Sequence, residues 1–240
     1  MFLKKLTIII PVYNEATTIN ELLHKVEDIS LNNKLKKQLI IINDCSIDKS
    51  KEEIEKFIDS SENKNDIVFI DHKKNVGKGG AIKSAILKAD GDYSVIQDAD
   101  LELNPEEINI LIEPILNNQA DVVYGSRFIN NKKQKKESIL NRIANVFLTS
   151  LGNIVFGVKL TDMQTCYKMI PTEIFKKLTL KENRFAFDPE VTAKLSKNKD
   201  LRWKEVAISY NPRTKDEGKK IRWRDGFRAL YSIIKYGVFK

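Results

Sequence analysis

Residues 93–102 read Tyr93-Ser94-Val95-Ile96-Gln97-Asp98-Ala99-Asp100-Leu101-Glu102. A short strand-like run stops at a cluster of acids, the pattern of a buried strand that surfaces at the edge of a sheet. The same grammar recurs on either side. Leu6-Thr7-Ile8-Ile9-Ile10 closes at Pro11, Leu39-Ile40-Ile41-Ile42 ends in Asn43-Asp44, and Ile67-Val68-Phe69-Ile70 and Val122-Val123-Tyr124 are two further runs. Between them apolar residues repeat at helical spacing. Ile19, Leu22, Leu23, Val26 and Ile29 mark one helix, with a capping box expected from Thr18 and Glu21. Ile54, Phe57 and Ile58 mark another, and two more run from about Gly80 to Lys88 and from about Glu106 to Leu116. This alternation predicts an α/β fold, a doubly wound and mostly parallel sheet with helices on both faces.

In such sheets ligands bind beyond the carboxyl ends of the strands, so the polar residues there are the candidates for chemistry. Asp98 and Asp100 stand one residue apart and can share a divalent cation, whose other positions go to water and phosphate oxygens. That suits a nucleoside-diphosphate leaving group, whose developing charge the cation neutralises. Asp44 can accept hydrogen bonds from a base or ribose, while Asp48 reads as the N-cap of the helix that follows. Asn75-Val76-Gly77-Lys78-Gly79-Gly80 precedes a helix. Its glycines permit close backbone approach and a helix N-terminus favours anions, although a plain turn and cap has the same appearance. Neither a P-loop nor a dinucleotide spacing is present.

The second half is less regular. Residues 138–158 carry Ile139, Ile143, Val146, Phe147, Leu151, Ile154 and Val155, an amphipathic helical stretch expected to break near Gly152. A helix from about Asp188 to Ser196 precedes a strand at Arg202 to Ser209. Arg213, Lys219, Lys220, Arg222 and Arg224 follow, a basic loop able to close over a diphosphate or an acceptor phosphate. The last helix, Trp223 to Tyr236, has Phe227, Leu230, Tyr231 and Ile234 on one face.

Composition narrows the class. With 240 residues, 42% hydrophobic, the chain has enough apolar surface for one large domain. No run reaches the length of a membrane span, and Met1-Phe2-Leu3-Lys4-Lys5 lacks the apolar region of a signal peptide, so a cytoplasmic location is expected. Cys45 and Cys166 read as small buried hydrophobes, and two histidines are too few for a zinc site. A metal here is therefore a hard cation on carboxylates. The net charge of +8 is concentrated: residues 199–240 hold 12 Lys/Arg against five Asp/Glu, and Lys132, Lys133, Lys135 and Lys136 form a second knot. Local excess of this kind suits phosphates or an anionic membrane.

Taken in order, these segments resemble the family 2 glycosyltransferases, and within them the dolichyl- or polyprenyl-phosphate hexose synthases. Ile9-Ile10-Pro11-Val12-Tyr13-Asn14-Glu15 is similar to the opening PxYNE strand, and Asn43 to Asp48 to the DGSTD element, with Cys45 where glycine stands. Asn75 to Ala81 is similar to the NxGKGxA turn, Gln97 to Glu102 to the DADLQ-type metal site, and Val123 to Phe128 to the GSR element. Thr161 to Lys168 resembles the TDxxxGYK segment, with Cys166 where glycine is frequent, and Phe187-Asp188-Pro189-Glu190 completes the set with the loop from Arg213 to Trp223.

The resemblance implies a GT-A fold over residues 1–240, with a nucleotide-sugar half at 1–128 and an acceptor-side half at 129–240. It implies that Pro11, Tyr13, Glu15 and Asp44 hold the nucleotide, with Lys78 and Asp98-Ala99-Asp100 completing the nucleotide-sugar set. Asp98, Asp100 and Glu102 would bind Mg²⁺ or Mn²⁺. Arg127 and Arg213 would meet phosphates, and Asp162 would lie near the sugar or acceptor. The implied reaction is inverting transfer of a hexose, from a UDP-glucose or GDP-mannose type of donor, to a polyprenyl phosphate at the cytoplasmic membrane face, with peripheral contact to anionic lipid or a membrane subunit. A glycan or protein hydroxyl as acceptor is the alternative, and it needs a general base, Asp162 or Glu190. A nucleic-acid module built on the basic C-terminus lacks any aromatic–basic ladder to support it.

Overall fold

The computed structural model describes residues 3–129, 139–213 and 223–238. The knot at Lys132–Lys136 and the loop residues Lys219, Lys220 and Arg222 lie outside them, as does the side chain of Arg224.

Seven strands form a sheet: β1 (Lys5–Val12), β2 (Lys36–Asn43), β3 (Ile67–Asp71), β4 (Tyr93–Ile96), β5 (Val122–Ser126), β6 (Lys168–Pro171) and β7 (Trp203–Ala207), in the order β3-β2-β1-β4-β6-β5-β7. The pairs β1–β2, β2–β3, β1–β4 and β5–β7 are parallel. Leu6, Ile8, Ile9 and Ile10 of β1 and Ile40, Ile41 and Ile42 of β2 are wholly buried, as expected of parallel strands covered on both faces. The helices are α1 (Ile19–Asp28), α2 (Ser50–Ser60), α3 (Lys78–Ile86), α4 (Ile108–Leu116), α5 (Ile139–Phe156), α6 (Thr172–Lys177), α7 (Phe187–Leu195) and α8 (Trp223–Val238). The expected mostly parallel α/β architecture is therefore the one observed.

The strand β6 was not anticipated. It is short, opens on the buried cation Lys168, and pairs antiparallel with both β4 and β5. Its reversal has a consequence for the site. The carboxyl ends of the six parallel strands face one edge, and the segment leading into β6, residues 162–167, arrives at that same edge.

Three local expectations are corrected. Thr18 forms no capping box, because its hydroxyl bonds instead to the Ala99 carbonyl oxygen (2.8 Å) and the Glu15 carboxylate (3.1 Å). The helix α5 does not break at Gly152. A Cβ there would lie 2.0 Å from Met163 Cε, so the glycine allows a close approach rather than a bend. Cys45 is only half-buried and has φ +59°, the left-handed conformation in which a glycine is unstrained.

Outside the sheet, α5, α7 and α8 enclose a second apolar cluster of Leu148, Phe156, Met163, Ala193, Ala229 and Ile233. The outer side of α5 leaves Leu140, Ile143, Phe147 and Ile154 exposed, and α8 exposes Phe227, Tyr231 and Ile234. Among the described residues no helix is long and apolar enough to cross a membrane.

Candidate active site

The loops after β1 and β2 are stitched into one wall. Asn14 N–H donates to Ser46 Oγ (3.0 Å), Ile47 N–H to Asn14 Oδ1 (2.9 Å), Glu15 N–H to Ser50 Oγ (2.7 Å) and Ala16 N–H to Asp48 Oδ2 (3.1 Å). Asp48 thus lies just before the cap position of α2, accepting from Ser50 N–H and binding the β1 loop as well. Pro11 closes β1, and Tyr13 stands beside it at 37% exposure.

Asp44, expected at the nucleotide, lies just past the end of β2. It is 2% exposed, and its carboxylate accepts the N–H groups of Val76 (2.9 Å) and Gly77 (2.7 Å) and faces His72 Nδ1 (2.9 Å). Its work in this structure is to fasten the glycine turn to the end of β2. The glycines of that turn answer to packing too. A Cβ on Gly77 would meet Asn183 O at 2.5 Å and one on Gly79 would meet Glu182 O at 2.7 Å, while Gly80 N–H donates to Asn183 O. The N–H groups of Val76, Gly77 and Gly80 are engaged by protein.

Lys78, the first residue of α3, instead reaches Asp98, with Nζ 2.6 Å from Oδ1. Asp100 and Glu15 share the Arg213 guanidinium, at 3.3 Å for Asp100 and 2.9 and 3.0 Å for the two Glu15 oxygens. Glu102 turns to the segment after β7, accepting from the Tyr210 hydroxyl (2.9 Å) and the Arg213 backbone N–H (2.9 Å). Among the described residues no three His, Cys, Asp or Glu side chains converge into a cation site of their own. Asp98 and Asp100 accordingly offer a two-carboxylate seat that needs phosphate or water oxygens to complete it.

The electrostatics fit a cation at that seat. Among the described residues four acids, Glu15, Asp98, Asp100 and Glu102, meet two bases, Lys78 and Arg213. Burial, then the charges of Asp98 and Glu102, push the Asp100 carboxyl up to about 7 against the pull of Arg213. Burial would raise Asp98 as well, but the Lys78 ammonium and hydrogen bonds from Lys78 and Cys166 outweigh it and hold that carboxyl below its usual range. Arg213 Nε is buried with no hydrogen-bond partner among the described residues and faces Glu102 Oε1 at 3.8 Å. The loop itself is braced from beneath: Tyr167 donates to Gln97 Oε1 (2.5 Å) and the Asn104 carbonyl (2.9 Å).

The cluster just past β5 is balanced one charge to one. Arg127, just past β5, makes a bidentate pair with Asp162 through Nε–Oδ2 (2.6 Å) and Nη2–Oδ1 (2.8 Å), and Asn145 of α5 adds a third donor at 3.2 Å. Asp162 is fully buried. Burial alone would raise its pKa, but Arg127's charge and hydrogen bonds overcome that and lower it, so the group is a weak base. Glu190 is fully buried too, accepting from Lys181 and Glu182 N–H and pairing with Lys194 Nζ at 2.7 Å. Both carboxylates expected as general bases are engaged by cationic side chains of the protein. The ring of Tyr210 lies under Arg127, 5.0 Å from Cζ. Sequence reasoning passed over Tyr210, Tyr167 and Asn145. Only the position of Tyr210, just beyond a parallel strand's carboxyl end, marked it beforehand.

A family model described as Glycosyl transferase family 2 matches residues 7–179. The dolichyl-phosphate beta-glucosyltransferase of Dictyostelium discoideum is 30% identical, over 96% of this chain and 72% of its own length. The UDP-N-acetylglucosamine–dolichyl-phosphate N-acetylglucosaminyltransferase of Methanococcus voltae is 27% identical, over 96% of this chain and 95% of its own. Among solved structures, glucosyl-3-phosphoglycerate synthase from Mycobacterium tuberculosis, in complex with Mn²⁺, UDP-glucose and phosphoglyceric acid, matches with a TM-score of 0.69 at 15% identity. The match covers 99% of this chain and 81% of that one, a likeness of fold.

Proposed function

The chain belongs to the family 2 glycosyltransferases, and from that premise we propose that it moves a hexose from a nucleotide-sugar to a polyprenyl phosphate. The donor is of the UDP-glucose or GDP-mannose type, and the reaction inverts the anomeric centre. The observation that carries the choice of acceptor is the state of the two candidate bases: Asp162 is locked to Arg127, and Glu190 is buried against Lys194. A sugar hydroxyl needs a base, whereas a phosphate monoester, with a second pKa of about 6, is largely a dianion at neutral pH and attacks without one. Dolichyl phosphate in the names of the two relatives supports the same choice.

In this reading Asp98 and Asp100 seat Mg²⁺ or Mn²⁺. Bound there, the cation would neutralise the departing diphosphate. Lys78 fixes the Asp98 carboxylate, and Glu15 with Asp100 aims the Arg213 guanidinium at the donor side. Arg127, oriented by Asp162, faces the acceptor phosphate. The protein's contribution is alignment and charge compensation. The acceptor's lipid tail places the reaction at a membrane surface. The exposed Ile143, Val146 and Phe147 of α5, with Arg142 among them, suit peripheral contact with anionic lipid at the cytoplasmic face.

The test is a panel of nucleotide-sugars with Mn²⁺, in which nucleoside diphosphate release is read with polyprenyl phosphate, with soluble sugars and with neither. Release dependent on the lipid phosphate is expected. Release with soluble sugars alone would move the assignment to a hydroxyl acceptor. Sedimentation with vesicles of anionic lipid, lost on Phe147→Ser, tests the membrane contact.

A further inference from the structure

We propose that Tyr210 is a positioning residue that holds the two arginines of the site at a fixed separation, its hydroxyl serving the donor side through Glu102 and its ring serving the acceptor side under Arg127. The inference rests on the transferase reading above and assigns work to a side chain that reading leaves idle.

The contacts form one unbroken path. Tyr210 is 5% exposed and follows β7 by three residues. Its hydroxyl donates to Glu102 Oε2 (2.9 Å), and the other oxygen of that carboxylate accepts the Arg213 backbone N–H (2.9 Å). The Glu102 carbonyl accepts Asn211 N–H (2.9 Å), so Glu102 grips the segment 210–213 at three points. Arg213 is thereby delivered to Glu15 and Asp100. At the other end of the phenol, the Arg127 guanidinium lies over the ring at 5.0 Å, its far side pinned by Asp162. Among the natural side chains tyrosine alone joins a hydroxyl for a carboxylate to a phenyl face for a cation on one rigid ring. Glu102 therefore acts as a clamp on the donor arginine's backbone, which explains why its carboxylate does not converge with Asp98 and Asp100.

The two halves of the ring can be removed separately. Tyr210→Phe keeps the ring under Arg127 and deletes the bond to Glu102. Tyr210→Leu deletes both. With the donor that the native chain turns over, Mn²⁺ and polyprenyl phosphate, KM is measured for each substrate in turn, with melting temperature as a control for folding. Tyr210→Phe is expected to raise the donor KM about ten-fold, the scale of one hydrogen bond to a charged group, and to leave the acceptor KM unchanged. Tyr210→Leu should raise both. Equal effects of Tyr210→Phe on the two constants, or no effect on the donor constant, overturn the proposal. Should Tyr210→Leu fail to fold, the isosteric Tyr210→Phe still decides it. Should the native chain turn over no donor, the functional reading fails on its own. Calorimetric binding of UDP and GDP with Mn²⁺ then judges Tyr210: weaker binding by Tyr210→Phe upholds the donor half, and equal binding sinks it.

Discussion

Two ion-pair clusters face each other across the strand ends, built from the same residue types with opposite outcomes. Beyond β5 Arg127 and Asp162 are matched one to one, with the buried Asp162 carboxylate accepting from the Arg127 backbone and guanidinium and from Asn145. On the donor side Glu15, Asp98, Asp100 and Glu102 outnumber Lys78 and Arg213, and the Asp100 carboxyl is pushed up to about 7. A matched buried pair fixes geometry, and removing one partner strands the other. A cluster with surplus charge is held short of neutrality and is completed by what binds. The difference separates a pair that orients its arginine from a cluster whose charge a ligand completes.

The largest expected effect breaks the clamp. Asp162→Asn should cost about 3–5 kcal/mol of stability in urea unfolding at pH 7, because the Arg127 guanidinium is left buried without a counterion. The pH dependence has a definite sign. A carboxyl held below its ordinary value contributes stability above the unfolded pKa of about 3.9 and loses it as the pH falls through the folded value. The gap between native and Asp162→Asn should therefore hold from neutral to mildly acid pH and narrow only in stronger acid. A variant as stable as the native chain would mean that Arg127 and Asp162 are not a clamp.

Next comes the seat. Asp98→Asn should lower turnover by about 100-fold, with some loss of urea stability because the Lys78 ammonium, 2.6 Å from Asp98 Oδ1, loses its counterion. Intact turnover would remove the cation from Asp98. A third, smaller effect concerns ligand linkage. Mn²⁺ with the matching nucleoside diphosphate should stabilise the native chain by about 1–3 kcal/mol in thermal melts at saturating concentrations, and Asp98→Asn should abolish the shift. Mn²⁺ alone should do much less, because two carboxylates are an incomplete shell. The smallest effect calibrates the contrast. Arg202, half-exposed and paired with Asp121 at 2.9 Å, has geometry comparable to the Arg127–Asp162 pair, yet Arg202→Ala should move the urea midpoint far less than Asp162→Asn because solvent screens the pair.

Periodicity made most of the fold legible. The runs at Ile8, Ile41 and Val95 are continuous because parallel strands are covered on both faces, and each ends in polar residues because strands surface at the sheet's edge. The strand β6 was hidden because it is short, pairs antiparallel and places a charged lysine at 0% exposure, where pattern reading expects an apolar residue. Within the site, Asp98, Asp100, Arg127 and Arg213 stood out as charges after strands. Which of them pair did not, because pairing is a property of distance: the Glu102 carboxylate closes on Tyr210, 108 positions away.

The sequence by itself determined the α/β alternation, the family and the edge at which the polar residues gather, since hydrophobic period and local motif are encoded along the chain. Tertiary structure alone decided which of those charges are spent on one another. Asp44 went to a glycine turn, Asp162 to Arg127 and Glu102 to Tyr210, leaving Asp98 and Asp100 with a surplus. Electrostatic energy depends on separation and burial, and both come into being only when distant segments fold against each other.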